Sequence, residues 1–260
     1  MGRSARNLLD QCSYHVTHRC HNRQFLFRFT NERDSYVKLL REMSRRFKVD
    51  VLDYMVTSNH VHLLLWAKSS EYISEGMRFV QGTIAQNYNR KCNREGAFWR
   101  DRFHATLIQD GAHLSRCLFY IEFNMVRAGV VAHPRDWRWS GYDELTGKRQ
   151  RYRVLNRDCL AHRLGHQEDE AKLSAWFMRT MDEKVDGYHT RESWWSESMA
   201  VGDAEWIRAL SGKISGSTKK IERISSDYGI EINEDSISYR LQTSKRGNAT
   251  ITRSLSKGKT

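Results

Sequence analysis

Two apolar runs, DVLDYMVT at residues 50–57 and HVHLLLW at residues 60–66, stand on either side of Ser58-Asn59. Short apolar runs bounded by turn residues read as strands, and a two-residue break between them reads as a hairpin. The rest of the N-terminal half has to be arranged around that pair. Residues 12–20 (CSYHVTHRC) predict a strand, and residues 34–47 predict a helix with Tyr36, Leu39, Leu40, Met43 and Phe47 on one stripe. After the hairpin, Ile73, Met77, Val80, Ile84 and Tyr88 recur at helical spacing over residues 72–90. A fourth strand is predicted at 102–109 (RFHATLIQ), then a helix over about 112–127 that Gly129 stops in a left-handed conformation. The order β-α-β-β-α-β followed by a helix predicts an α+β fold: a ferredoxin-like, four-stranded antiparallel sheet with its helices on one face.

Charge narrows the function. Lys plus Arg is 43 and Asp plus Glu is 31, a formal net charge of +12. A surface that basic favours a polyanionic partner, most often nucleic acid. The longest apolar stretch, Val61 to Trp66 with His62 inside it, is too short to span a bilayer. The N-terminal residues MGRSARNLLDQCS lack the apolar core of a secretory signal. Five scattered cysteines without a CxxC pair argue against a disulfide framework and a cysteine-type zinc site. A soluble protein of a reducing compartment is expected.

Three segments are expected: a catalytic or binding domain over residues 1–150, a mostly helical extension over 151–210, and a basic, polar tail over 211–260. In the extension, Leu173, Trp176, Phe177 and Met181 form one stripe, and Trp206, Ile207 and Leu210 another. After Asp235 the tail has no acidic residue. It reads as a solvated, partly disordered segment or as an arm contacting nucleic acid. A small helix-turn-helix over 218–241 is an alternative.

Chemistry concentrates in two places. His60 and His62 share one face of a strand, because side chains at i and i+2 point the same way. The pair suits a metal ion, though ordinary sheet histidines have the same spacing. On the last helix of the domain, Tyr120 and Asn124 share a face, with Arg127 one turn further along it. Taken alone, they read as an amphipathic tyrosine packed beside the stripe and a local polar contact.

Taken together, the stretches Tyr14-His15-Val16-Thr17-His18-Arg19, Ser58-Asn59-His60-Val61-His62-Leu63-Leu64, Phe98-Trp99-Arg100-Asp101-Arg102-Phe103, Tyr120-Ile121-x-x-Asn124-x-Val126-Arg127-Ala128-Gly129 and Trp137-Arg138-Trp139-Ser140 resemble the HUH single-tyrosine transposases, and within them the REP-associated tyrosine transposases. The resemblance covers about residues 12–145. Residues 170–210 resemble the C-terminal extension of some members. One departure stands out. Met125 occupies a position where the family usually has proline, which predicts a straighter helix end.

The resemblance implies cleavage and rejoining of single-stranded DNA through a 5′-phosphotyrosine on Tyr120. It implies a divalent ion, Mg²⁺ or Mn²⁺, on His60, His62 and Asn124. Arg19, Arg100, Arg102 and Arg127 become candidate phosphate contacts, with surface salt bridges as the alternative. Trp99 becomes a candidate stacking platform for an unpaired base, with core packing as the alternative. The implied substrate is a short palindromic DNA hairpin with a single-stranded flank, in the cytoplasm of a bacterium, at the nucleoid. The oligomeric state is left open between monomer and dimer. Competing readings are a non-catalytic, domesticated hairpin binder, a replication initiator or relaxase, and a structural protein with coincidental histidines.

Overall fold

A computed structural model describes residues 8–165, 170–184, 187, 190–214, 219–224 and 238–243. The first four strands are β1 (Cys12–Arg19), β2 (Val49–Val56), β3 (His60–Ala67) and β4 (His104–Ile108). They lie in the order β2-β3-β1-β4 and every pairing among them is antiparallel, which is the ferredoxin-like arrangement. Helix α1 (Thr30–Phe47) joins β1 to β2, and α2 (Ser70–Lys91) joins β3 to β4. Both bury the stripes their periodicity announced: Tyr36, Leu39, Leu40 and Met43 on α1, and Ile73, Met77, Val80 and Ile84 on α2. Gly76 lets the two helices close together. A Cβ there would lie 2.7 Å from Met43 Cγ.

Helix α3 (Ala112–Glu122) does not join them. It packs on the opposite face, so the sheet is covered on both sides rather than one. The alternation of β3 explains this. Val61, Leu63 and Leu65 face α1 and α2, while His60, His62 and the fully buried Leu64 face the side of α3. The predicted single helix over 112–127 is in fact α3 followed by a short turn, α4 (Asn124–Arg127), with the break at Phe123 (φ −77°, ψ 3°). Met125 therefore does not straighten the helix end. Phe123 and Met125 are both buried beside the break, so side-chain packing sets it without a proline. Gly129, at φ +66°, stops the segment as its sequence position predicts.

Residues 130–165 wrap the β2 side of the sheet through α5 (Tyr142–Leu145) and α6 (Arg157–Arg163). They carry a backbone approach that the core depends on. A Cβ on Gly141 would lie 2.1 Å from Asp53 Oδ1. Asp53 and Glu122, both fully buried, meet at this point and tie α3 to β2. Burial pushes both above the usual carboxylate range: Asp53 well above it, with Glu122 beside it adding to the rise, and Glu122 to about 8, although its hydrogen bond with Asp53 pulls it partly back. A carboxyl with a raised folded-state pKa contributes stability that is complete below its unfolded value, about 4, and is lost as pH rises through the folded value. The protein is therefore expected to lose melting temperature between about pH 5 and 8, and Asp53→Asn to flatten that slope. Parallel thermal melts of both proteins across this range check it. Equal slopes would mean that the pair does not titrate there.

The extension is helical in part: α7 (Glu170–Lys184), α8 (Trp194–Glu197) and α9 (Ala204–Lys213). Leu173, Phe177 and Met181 are buried, and Phe177 stacks on Phe119 of α3 at 5.6 Å. The extension also contains a strand that no periodicity announced. Strand β5 (Ala200–Gly202) pairs in parallel with β4. Strands β6 (Lys219–Ile224) and β7 (Ser238–Thr243) follow, giving a seven-stranded sheet in the order β2-β3-β1-β4-β5-β7-β6. The helix-turn-helix reading of 218–241 is thus corrected. A period-two pattern prevails there, with Ile221 opposite Leu241 and Glu222 opposite Arg240 in an ion pair. Residues 215–218, 225–237 and 244–260, where the rest of the predicted basic tail falls, lie outside the described residues. Among the described residues, no helix is long and apolar enough to cross a membrane.

Candidate active site

Strand pairing brings three imidazoles together. β1 lies against β3 with Thr17 opposite His62 and Arg19 opposite His60, which puts His15 on the same face one pleat away. His15 Nε2 is 2.8 Å from His62 Nδ1, and the two rings are within 12° of parallel with centroids 5.0 Å apart. That combination is two rings side by side in a plane, joined edge to edge. Burial holds His15 down to about 3 and His62 well below the ordinary histidine value, so both are neutral at pH 7.

The hydrogen-bond partners then fix where each proton sits. His15 Nδ1 lies 2.7 Å from the Trp195 carbonyl, which can only accept, so His15 carries its proton on Nδ1. Its Nε2 is therefore an acceptor, and His62 must donate to it from Nδ1. The His62 Nε2 lone pair is left facing outward, 3.1 Å from the Asn124 side-chain nitrogen. His60 reaches the same state by another route. Its Nδ1 lies 2.7 Å from Asn59 Oδ1 and 2.9 Å from Thr57 Oγ1. The Thr57 hydroxyl donates to the His60 carbonyl, and the Asn59 amide nitrogen donates to the Arg23 carbonyl, so both oxygens accept from His60. Burial keeps His60 neutral as well, with its pKa held down to about 3. His60 and His62 both present Nε2 lone pairs.

This donor set fits a small divalent ion. The 3.1 Å between His62 Nε2 and the Asn124 amide matches adjacent ligands of one octahedral ion, which lie about 3 Å apart when metal–ligand distances are about 2.1 Å. Turning the Asn124 amide over presents its oxygen at the same point. Among the described residues, no group of three His, Cys, Asp or Glu side chains forms a metal site. Two imidazoles and an amide oxygen make a weaker, more open set.

Tyr120 is 3% exposed. Its ring stands edge-on to His15 and His62, each with centroids at 6.1 Å, and against Trp195, also at 6.1 Å. The Arg127 guanidinium lies 4.1 Å from the ring centre and donates to the Tyr120 carbonyl at 2.6 Å. Burial pushes the phenol up, and the charges of Arg127 and Arg191 pull it partly back.

Tyr120, His60, His62 and Asn124 line one cavity of about 530 Å³. Arg19, Arg23, Arg100, Arg102, Arg127 and Arg191 line it too, against two acids, Asp101 and Glu197. All four arginines singled out in the sequence are thus at the cavity. Trp99 is not. It stacks on His18 at 3.9 Å, packs against Phe27 and Phe98, and donates its indole N–H to the Gln81 carbonyl. Its position favours packing, because the half-buried ring lies in an aromatic cluster behind His18. Sequence reasoning missed His15, Arg23 and the segment 191–197. The one available signal was a pair of tryptophans, Trp194 and Trp195, in an otherwise polar run.

Residues 9–124 match the family model described as Transposase IS200 like. The matched segment ends at Asn124 and contains His60, His62 and Tyr120. A Haemophilus influenzae protein named as a candidate REP-associated tyrosine transposase is 26% identical over 130 residues, spanning 46% of this chain and 72% of that protein. Among solved structures, a REP-associated tyrosine transposase bound to a REP hairpin is similar with a TM-score of 0.48 at 17% identity, covering 57% of this chain and 87% of the other. A candidate transposase from Deinococcus radiodurans R1 gives a TM-score of 0.32 at 17% identity, covering 40% and 84%. Beyond the matched segment, the extension reaches back to supply Arg191, Ser196 and Glu197 to the cavity wall.

Proposed function

We propose that the protein is a metal-dependent, single-tyrosine transposase that binds palindromic DNA hairpins and cleaves and rejoins the adjoining single strand. The observation that carries this reading is one cavity holding a tyrosine, two histidines with outward lone pairs, an asparagine amide and six arginines. The arginines grip backbone phosphates on both sides of the scissile bond. Arg127, stacked on Tyr120, holds the phenol beside the bound phosphate. The Tyr120 oxygen attacks phosphorus in line. An O–P bond forms to the phenol, the bond to the 3′ oxygen breaks, and the proton lost by the phenol is balanced by one gained at the 3′-hydroxyl. A divalent ion, Mg²⁺ or Mn²⁺, on His60, His62 and Asn124 supplies polarisation of a non-bridging phosphate oxygen. The released 3′-hydroxyl can reverse the step on another 5′-phosphotyrosine, so the exchange conserves the phosphodiester bond.

The test is a gel assay on labelled single-stranded oligonucleotides carrying palindromes, with Mg²⁺, Mn²⁺ or a chelator. The expected result is a metal-dependent nick together with a denaturant-resistant band in which the protein is joined to the 5′ end of the fragment lying 3′ of the break, the other fragment ending in a free 3′-hydroxyl. A tight shift without a nick under either metal would replace this reading with a non-catalytic hairpin binder.

A further inference from the structure

We propose that the C-terminal extension is a working part of the metal site: the Trp195 backbone carbonyl, acting through His15, sets the tautomer of His62 and thereby aims its Nε2 lone pair at the ion. This rests on the reading of His60, His62 and Asn124 as the metal ligands.

The chain of hydrogen bonds permits one assignment of protons. The Trp195 carbonyl accepts from His15 Nδ1 at 2.7 Å, and His15 Nε2 accepts from His62 Nδ1 at 2.8 Å. Without an acceptor at its start, a neutral His15 can carry its proton on either nitrogen. If Nε2 held it, His62 Nδ1 would have to accept, and the proton of His62 would move to Nε2, where a metal must bind. The carbonyl removes that possibility. Outer partners of this kind orient ligating histidines and raise their basicity. His60 has its own partners, Thr57 and Asn59, from the β2–β3 turn. His62 depends on a residue far along the sequence.

The extension is built to hold that carbonyl in place. The Trp195 indole N–H donates to the Glu192 carboxylate at 2.5 Å, and its ring, 2% exposed, packs against Tyr120. Three residues on, the Ser198 carbonyl accepts from the Thr106 hydroxyl at 2.9 Å, and β5 then pairs with β4. Two carbonyls of the segment, at Trp195 and Ser198, are thus docked on polar side chains of the sheet face. His15 is therefore a positioning residue, and the extension bears on both the metal ligand and the nucleophile.

The first test needs neither DNA nor metal. In the full chain labelled with ¹⁵N-histidine, long-range proton–nitrogen spectra report which ring nitrogen carries hydrogen. His15 and His62 are expected as Nδ1–H tautomers, and Trp195→Ala is expected to expose the His15 Nδ1–H to fast exchange with water. His62 found as the Nε2–H form would overturn the proposal, even if the protein cleaves DNA. The second test is Mn²⁺ binding, followed by electron paramagnetic resonance. His15→Gln keeps an acceptor oxygen and is expected to bind within about threefold of the parent. His15→Leu is expected to bind about 10–100-fold more weakly. Unchanged binding by His15→Leu would overturn the proposal, as would equal losses in the two variants with both melting like the parent. If His15→Leu does not fold, the tautomers of the parent and the His15→Gln affinity still decide the matter. If the tautomers are as expected but no variant, nor the parent, binds Mn²⁺, then the ligand assignment fails and the relay alone stands.

Discussion

In a Tyr120→Phe protein, strand cleavage and the covalent protein–DNA band are expected to vanish together, while hairpin affinity stays within about twofold of the parent. The substitution removes one oxygen and leaves the ring where Trp195, Arg127 and the two imidazoles hold it. Stability should change by no more than about 1 kcal/mol, since the buried surface is conserved. Removing a covalent nucleophile costs on the order of 10⁶ in rate, which puts residual activity below a gel assay's reach. Residual cleavage at a tenth of the parent rate would sink the assignment. Tyr142 and Tyr88 are poor replacements: Tyr142 packs against His133 and Phe177, Tyr88 against Phe98, and neither lines the cavity.

The second large effect is expected in His60→Ala. Unlike His62, this side chain is outside the buried His15 relay, and its Nδ1 partners Thr57 and Asn59 also serve the β2–β3 turn through the backbone. The fold should survive, with melting temperature within a few degrees of the parent. Cleavage should fall by about 10³, because metal polarisation of a phosphate oxygen is worth several kcal/mol. Hairpin affinity, carried by the arginines, should change little. Initial rates across Mn²⁺ concentrations separate the possibilities. A rate restored to the parent value by saturating Mn²⁺ would mean that His60 only tightens metal binding. A rate insensitive to the substitution at every concentration would remove His60 from the site.

Much of this was legible in the sequence for a physical reason: the decisive interactions in the N-terminal half are local. The hairpin is set by two apolar runs and a short turn, the helices by their own periodicity, and the His60–His62 pair by the pleat of one strand. Tyr120 and Asn124 sit a helical turn apart even though α3 breaks between them at Phe123. What the sequence concealed depends on distant partners. His15 looks no different from His18 in the run YHVTHR, and only pairing with β3 and contact with Trp195 give the two different tasks. Strand β5 is three residues long and gains its identity from β4. Trp99 resembled a stacking platform because its neighbours are arginines, yet the ring turns inward onto His18 while Arg100 and Arg102 reach the cavity.

The covering of the four-stranded core has a consequence for how copies of this chain can meet. An open sheet border offers rows of unpaired N–H and C=O groups, to which another chain can add as a further strand, in dimers and in aggregates alike. Here the β4 border is filled by β5, and the β2 border is bridged at Met55 by Ser140 and at Val51 by Leu155. Both borders are taken by later parts of the same chain, so strand addition at the ferredoxin-like core is closed to a second copy. Cutting the chain near residue 150 would open the β4 border by removing β5, and would leave the β2 border held at Met55 by Ser140 but no longer at Val51 by Leu155. The isolated N-terminal piece would then carry not only an uncovered Tyr120 but an adhesive β4 border that the full chain keeps occupied.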